Sequence, residues 1–388
     1  MRTTQLDLFD ADQPPDLRGL RAESPVHHDP ATGLWLVSRH ADVRAVLADP
    51  EAFHPDNALT AITPVPRPVL RVLARAGFSL PPTLANNGTP THTALRRLVA
   101  GFLTPARVAS FADRIADLCA ERLVDGPVDL HASLARDLPC VVLMEVLGIR
   151  DVDVPALKAW STASLELFWG NPSVDRQHEL AASAGEFHRW LTTRLRAASP
   201  AGDDLFGALV ARGTPVREAA GLCYFLLIAG QETTTQLLST LLDRVLRHPD
   251  VWHRLSLDEP GLAAACVEEV LRREPPVTTW RRLTSRPVEL SGVRLPAGAP
   301  LLLMLTGTDP EVFADPESFC PGRPDARKHL AFGYGRHFCL GAGLARLEGE
   351  VVLRTVARRF PALRLASVEP PPMLNLLSFR APLSVPVV

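Results

Sequence analysis

The sequence predicts a mainly α-helical chain with a small β portion, folded as a single compact unit. Three observations carry this. Helical apolar spacing dominates from His92 to about Ala198, cut by Pro and Gly breaks. A second stretch, Val216 to His248, reads as one long helix that stops at Pro249. Only Pro287 to Leu305 carries strand chemistry: Val288–Leu290 and Val293–Leu295 flank Ser291-Gly292 as a hairpin, and Leu301–Met304 is an apolar strand.

The remaining elements follow in order. Residues 1–30 are polar and Pro-containing, which predicts a loosely held arm; residues 1–20 are set apart as that arm, and 21–388 form the one domain. Leu34–Val37 reads as a short strand and Ala41 to Leu47 as a helix. Pro64 to Pro90 holds six prolines and closes on Asn86-Asn87-Gly88, the mark of a long irregular excursion with a functional use. Residues 306–330 are turn-rich, and Leu344, Leu347 and Val351 recur at i, i+3 and i+7 on a last helix. No internal repeat, low-complexity segment or inner linker is seen.

Composition narrows the function classes. Hydrophobic residues make up 46% of 388, charged residues 22%, and the net charge is −2, so no basic face for nucleic acid is expected. Positive charge comes almost wholly from Arg, since Lys158 and Lys328 are the only lysines. Cys119, Cys140, Cys223, Cys266, Cys320 and Cys339 are scattered without a Cys-x-x-Cys pair, which disfavours zinc and iron–sulfur sites. No apolar leader opens the chain, and no uncharged run approaches the ~20 residues that span a bilayer. The expectation is a reduced, cytoplasmic monomer without a membrane anchor.

Cys339 is the most informative residue. It lies in Phe332-Gly333-Tyr334-Gly335-Arg336-His337-Phe338-Cys339-Leu340-Gly341, just ahead of the last helix. Free N–H groups and the helix dipole there lower a thiol's pKa and favour thiolate. Glycines let the backbone approach a flat partner closely. A lone thiolate held by backbone donors suits an axial ligand to haem iron. Taken alone, Cys339 reads better as a free thiol in a Gly-rich turn. The whole string, however, resembles the cysteine loop of the cytochrome P-450 family almost residue for residue.

Other motifs gain meaning from that resemblance. Ile228-Ala229-Gly230-Gln231-Glu232-Thr233-Thr234 falls in the middle of the long helix. Ala229 and Gly230 are small enough for a ligand to approach. A Thr can bond back to a carbonyl, and an acid beside an alcohol can relay protons. By itself the motif is a polar stripe; by resemblance it is the oxygen-activation motif, which gives Glu232 and Thr233 proton-delivery roles. Gln231 stands where His is often found.

Glu269 and Arg272 share a helix face at i, i+3, as many exposed pairs do. They come seventy residues before Cys339, where the resemblance makes the pair structural and joins Arg323 to it, although Cys320 stands where Asp is common. His92 and Arg96 at i, i+4, Arg282 and His337 are singly unremarkable charges. Together they match the family's contacts to haem carboxylates, with Phe332, Gly333 and Gly341 beside the ring system. Gly88-Thr89-Pro90 replaces the usual Asp-Pro-Pro, and Gly307-Thr308 replaces Asn-Arg. By the same analogy substrate contacts fall on Leu84, Leu226, Ala229, Thr279, Trp280 and Leu377, apolar walls for a mostly hydrophobic molecule.

The resemblance implies a bacterial haem-thiolate monooxygenase of secondary metabolism that carries haem b (iron protoporphyrin IX), with Cys339 on the metal. No flavin or iron–sulfur module follows Cys339, so ferredoxin and ferredoxin reductase are the expected electron donors. Arg336 and Arg346, flanking the thiol, are expected on the face nearest that donor. The substrate arrives free or on a carrier protein. The alternatives are coupling, dehydration or peroxygenase chemistry on the same centre, or a haem-binding protein without turnover. Glu232-Thr233 favours oxygen activation, and oxygen consumption discriminates.

Overall fold

The computed structural model describes residues 8–9, 15–374 and 376–388. It opens with α1 (Leu17–Glu23), whose first amides bond the Asp16 carboxylate, then β1 (Val26–His28) and β2 (Trp35–Val37). This corrects the loosely held arm expected over residues 1–30. Arg21 is buried and donates to Ser38 O and to both oxygens of Thr308, tying α1 to a distant loop. Residues 1–7 and 10–14 of that arm lie outside the described residues.

Next come α2 (His40–Ala48), β3 (Phe53–His54) and α3 (Arg67–Arg75). α3 interrupts the excursion expected to be irregular from Pro64 to Pro90. Its prolines sit at the helix start, where the missing N–H and fixed φ are tolerated. The helical run continues through α4 (Thr91–Ala100), α5 (Pro105–Ala109), α6 (Ala112–Arg122), the short β4 (Val128–Asp129) and a π-helical turn at His131–Ala135. α7 (Leu138–Val146), α8 (Val154–Trp169), α9 (Val174–Ala197) and α10 (Leu205–Ala211) follow. α11 (Val216–Leu246) ends just before Pro249, where α12 (Pro249–Ser256) begins, and α13 (Leu262–Arg273) comes next.

The β portion holds β5 (Thr279–Thr284), β6 (Val288–Leu290), β7 (Val293–Leu295) and β8 (Pro300–Met304). Then come α14 (Ala342–Arg359) and β9 (Pro386–Val387). Ser291 and Gly292 both take positive φ, 44° and 77°, which closes the predicted β6–β7 hairpin with Val288 opposite Leu295. The main sheet runs β1-β2-β8-β5-β3, parallel only between β2 and β8. β5 was absent from the predicted elements.

The two halves of α11 belong to different cores. Leu222, Leu227 and Ile228 pack with α7–α10, whereas Leu237, Leu241 and Val245 pack with α6, α13 and α14. Its polar motif, 231–236, falls at the seam between them.

The turn-rich 306–330 segment is held by one carboxylate. Glu269, fully buried, accepts two bonds from Arg272 at 2.9 and 2.8 Å, one from Arg323 Nε at 3.2 Å and one from the Cys320 amide at 2.9 Å. The two arginines spend their other donors on carbonyls of the segment, among them Gly307, Pro316, Ala314 and Ser318. Glu269→Ala would leave Arg272 buried without an anion and Arg323 with only the more distant Asp325, at 3.8 Å. The expected loss is about 3–5 kcal/mol, read as a lower midpoint in denaturant unfolding, whereas a merely exposed pair would cost under ~1 kcal/mol.

Candidate active site

A cavity with about 1620 Å³ of atom-free space, its open mouth included, lies between α11, β5 and the Cys339 loop. Cys339 faces into it. The Cys339 amide bonds Phe332 O at 2.9 Å, and the sulfur accepts from the Gly341 and Ala342 amides at the start of α14. Gly333 and Gly335 hold φ values of 70° and 68° that build this loop, and a Cβ on Gly335 would lie 3.0 Å from Leu47 O. Burial pushes the thiol up, against the pull of those amides and of Arg96 and Arg346. That corrects the lowered pKa expected from the helix terminus alone: the surrounding protein outweighs two amides, although the sulfur is open to the cavity. A metal ion held by the sulfur would reverse this balance, because a coordinating thiol is deprotonated outright.

Two guanidinium groups and two imidazoles surround that floor. His92 and Arg96 come from α4, Arg282 from β5 and His337 from the loop, and all four line the cavity. The imidazoles stand 4.5 Å apart between centroids, and each has a buried Nε2 without a partner among the described residues. Burial, with Arg336 and Arg96, pushes His92 down to about 4; burial, with Arg282 and the other cations, pushes His337 down to about 3. Arg282 is 3% exposed and, among the described residues, its side chain donates only to Arg281 O; burial pushes it down to about 10. Among the described residues no carboxylate pairs with Arg282 or Arg96.

Arg336 and Arg346 both have partners within the chain. Arg336 donates to Gly88 O, Thr89 O and His92 Nδ1, and Arg346 pairs with Glu268 at 2.5 Å over the Phe332 ring. Arg336 thus meets only neutral acceptors, whereas Arg346 faces the Glu268 carboxylate. Gly88 gives Arg336 a carbonyl, and α4 starts at Thr91.

The other walls are apolar. Leu84, Leu226, Ala229 and Trp280 line them as expected, joined by Leu143, Leu165, Phe225, Val277 and Phe379, which the sequence reading did not name. Thr279 and Leu377 do not line the cavity. Strand side chains alternate, so Trp280 and Arg282 of β5 face inward while Thr279 turns away to bond Leu377 O and Ser378 Oγ. Leu377 packs instead with Leu34, Leu36 and Leu302.

On α11, Thr233 lines the cavity and its hydroxyl donates to Ala229 O at 2.7 Å. A Cβ at Gly230 would come within 2.8 Å of a Leu143 methyl, so that side chain would have to turn aside. Glu232 turns the other way. It is buried against α8, where Lys158 Nζ donates to Glu232 Oε1 at 2.5 Å and to Thr235 Oγ1 at 3.2 Å. The next residue back, Gln231, donates to Ser161 Oγ on the same helix. Lys158 was missed, and its signal was rarity: one of two lysines, set in an apolar helical stretch.

Comparison with known proteins agrees with this geometry. The cytochrome P450 family model matches residues 261–384. The cytochrome P450 monooxygenase PikC of Streptomyces venezuelae is 36% identical over 92% of this chain and 86% of its own. Among solved structures, cytochrome P450 CREJ in complex with (4-ethylphenyl) dihydrogen phosphate superposes with a TM-score of 0.93 at 31% identity, covering 98% of each chain. P450BioI in complex with hexadec-9Z-enoic acid ligated acyl carrier protein gives 0.83 at 27% identity, over 96% of this chain and 97% of that one. Fold and site thus define a haem-binding oxygenase of bacterial type. The chain belongs to the cytochrome P450 family and is a P450 monooxygenase. Among the described residues no helix is long and apolar enough to cross a membrane.

The floor fits a haem. Two orphaned imidazole nitrogens and a buried guanidinium without an anion call for carboxylates, which haem carries in a pair. The same fit makes a prediction for the apoprotein. Arg282→Met removes an uncompensated buried charge, so the apoprotein should gain on the order of 1–3 kcal/mol. The haem-loaded variant should instead lose haem faster to an acceptor protein. An apoprotein that is destabilised by the substitution would refute the reading.

Proposed function

We propose that this chain inserts one atom of dioxygen into a mostly hydrophobic small molecule, by hydroxylation or epoxidation, in bacterial secondary metabolism. The carrying observation is the cavity itself: one thiol with amide donors, cations without anions around it, and apolar walls opposite. Haem b held there, with Cys339 on the iron and His92, Arg96, Arg282 and His337 toward its carboxylates, would supply the activation of dioxygen. Phe332, Gly333 and Gly341, which line the same floor, would pack against its ring system. Electrons come from ferredoxin and its reductase. Relatives support this reading, and the carrier-bound acid of P450BioI adds a tethered acyl chain to the substrates considered.

The chain's own residues then divide the work. Leu84, Leu226, Ala229 and Trp280 exclude water and orient the apolar substrate. The Thr233 hydroxyl spends its proton on Ala229 O, so its lone pairs face the cavity as an acceptor. There it can hold a water in line for proton transfer. Glu232 acts from behind, anchored by Lys158.

Two measurements test this. Reduced protein under carbon monoxide should show the red-shifted absorption of thiolate ligation; Cys339→Ser should lose it and Cys266→Ser keep it. A spectrum like that of a His-ligated globin would end the proposal.

Thr233→Ala should still bind haem and substrate but lose coupling, with nicotinamide consumed, peroxide released and the yield of product per nicotinamide down by roughly tenfold or more. Lys158→Met alone should destabilise the fold by about 3–5 kcal/mol, and the double variant Lys158→Met/Glu232→Gln should recover much of that without regaining full turnover. A wild-type product ratio in Thr233→Ala would remove the proton role.

A further inference from the structure

Residues 57–112 contain no Asp or Glu, although the whole chain has a net charge of −2. Within that stretch, α3 carries Arg67, Arg71 and Arg75 at i, i+4 and i+8, which aligns them along one helix face. All three are exposed, and none has an ion pair or side-chain hydrogen bond among the described residues. Leu70, 49% exposed, and exposed Ala74 stand between them. The opposite face is anchored, with Val69 fully buried and Leu73 packed into the α7–α10 core.

Two more arginines flank this helix. Arg189 lies on α9, one turn from Gly185, where an added Cβ would come within 2.6 Å of the Ala76 methyl at the end of α3. Arg217 donates to Ser79 Oγ at 2.8 Å. The neighbouring carboxylates Glu186 and Glu218 offset part of this charge, and five arginines against two carboxylates leave the patch net positive. The same excursion goes on to supply Leu84 and Ala85 to the apolar cavity wall.

We propose that α3 is the docking face for an acidic carrier protein that presents an apolar substrate on a flexible tether. This rests on the oxygenation reading above. The three guanidinium groups span about 12 Å of helix, longer than a single carboxylate or phosphate, and match an acidic helix instead. An exposed leucine edged by a row of cations offers an apolar contact beside a charged rim, as protein interfaces do. The cavity behind it offers no cation apart from those on its Cys339 floor, so its occupant is the uncharged end of a tethered chain. Charge complementarity of this kind sets association rate and salt dependence.

The test uses the haem-loaded full chain and an acyl carrier protein bearing a dodecanoyl thioester. Binding by fluorescence anisotropy should weaken as salt rises. The charge reversal Arg67→Glu/Arg71→Glu/Arg75→Glu should weaken it at least about tenfold, the milder Arg→Gln triple should weaken it less, and Arg294→Glu on the β6–β7 hairpin should not change it. The haem absorption shift caused by the loaded carrier should follow the same order. Free dodecanoate and uncharged dodecanoyl-pantetheine should shift the spectrum equally in wild type and reversal variant. Equal carrier binding by both proteins, or binding indifferent to salt, overturns the proposal. A reversal that abolishes the response to free dodecanoate alone also overturns it, because α3 then reads a small anion. In either case the spectral response to free ligands still reports separately on the oxygenation reading.

Discussion

The protein folds around an anion that it does not itself supply. α4, β5 and the Cys339 loop come from widely separated parts of the chain, and each delivers a cation or a proton-poor imidazole to one cavity floor. Burying a guanidinium without a counter-charge is among the costlier arrangements available to a protein. His92 and His337 reduce the cost by staying neutral, which burial and their cationic neighbours enforce. Arg282 cannot do so at ordinary pH, even with its affinity for the proton lowered. Binding of a dicarboxylate cofactor therefore offsets a penalty already built into the fold, and cofactor affinity and protein stability are linked through the same groups.

A second constraint keeps the thiol loop in place. Residues 306–330 have almost no regular structure, so their carbonyls need partners from elsewhere. Arg272 and Arg323 supply these partners, and Glu269 supplies the charge that makes two buried guanidinium groups tolerable. Gly307 belongs to this arrangement. A Cβ at that position would sit 2.8 Å from Arg272 Cγ and 2.9 Å from its carbonyl, which is the physical reason for glycine there. Thr308 likewise has a use, as the acceptor for Arg21 from α1.

What was legible in the sequence was local. The β6–β7 hairpin depends on two turn residues and a short alternation, and α11 depends on its own periodicity and Pro249; both were read correctly. β5 was invisible because Arg281 and Arg282, both buried, break the apolar pattern, and their burial makes sense only once the cavity is known. Choosing between Thr279 and Trp280 as cavity residues needed the strand's register against β8, which one sequence does not contain. The prolines of α3 misled in the opposite sense, since a breaker inside a helix is a favourable residue at its first turn.

Glu232 and Thr233 show the limit of reading a motif as a line of letters. Consecutive helical residues point about 100° apart, so a hydroxyl in the cavity wall places its neighbouring carboxylate on a different surface. Here that surface is α8, and the partner is an ammonium with 4% side-chain exposure. Swinging Glu232 into the cavity would leave Lys158 charged, buried and without its anion, at a cost of several kcal/mol. Lys158 has a second acceptor in Thr235 Oγ1, but a neutral hydroxyl does not replace a carboxylate. The favoured arrangement keeps the pair closed. Glu232 then shapes the electrostatics behind α11 from a fixed position, and Thr233 is the polar group of the pair that meets whatever enters the cavity.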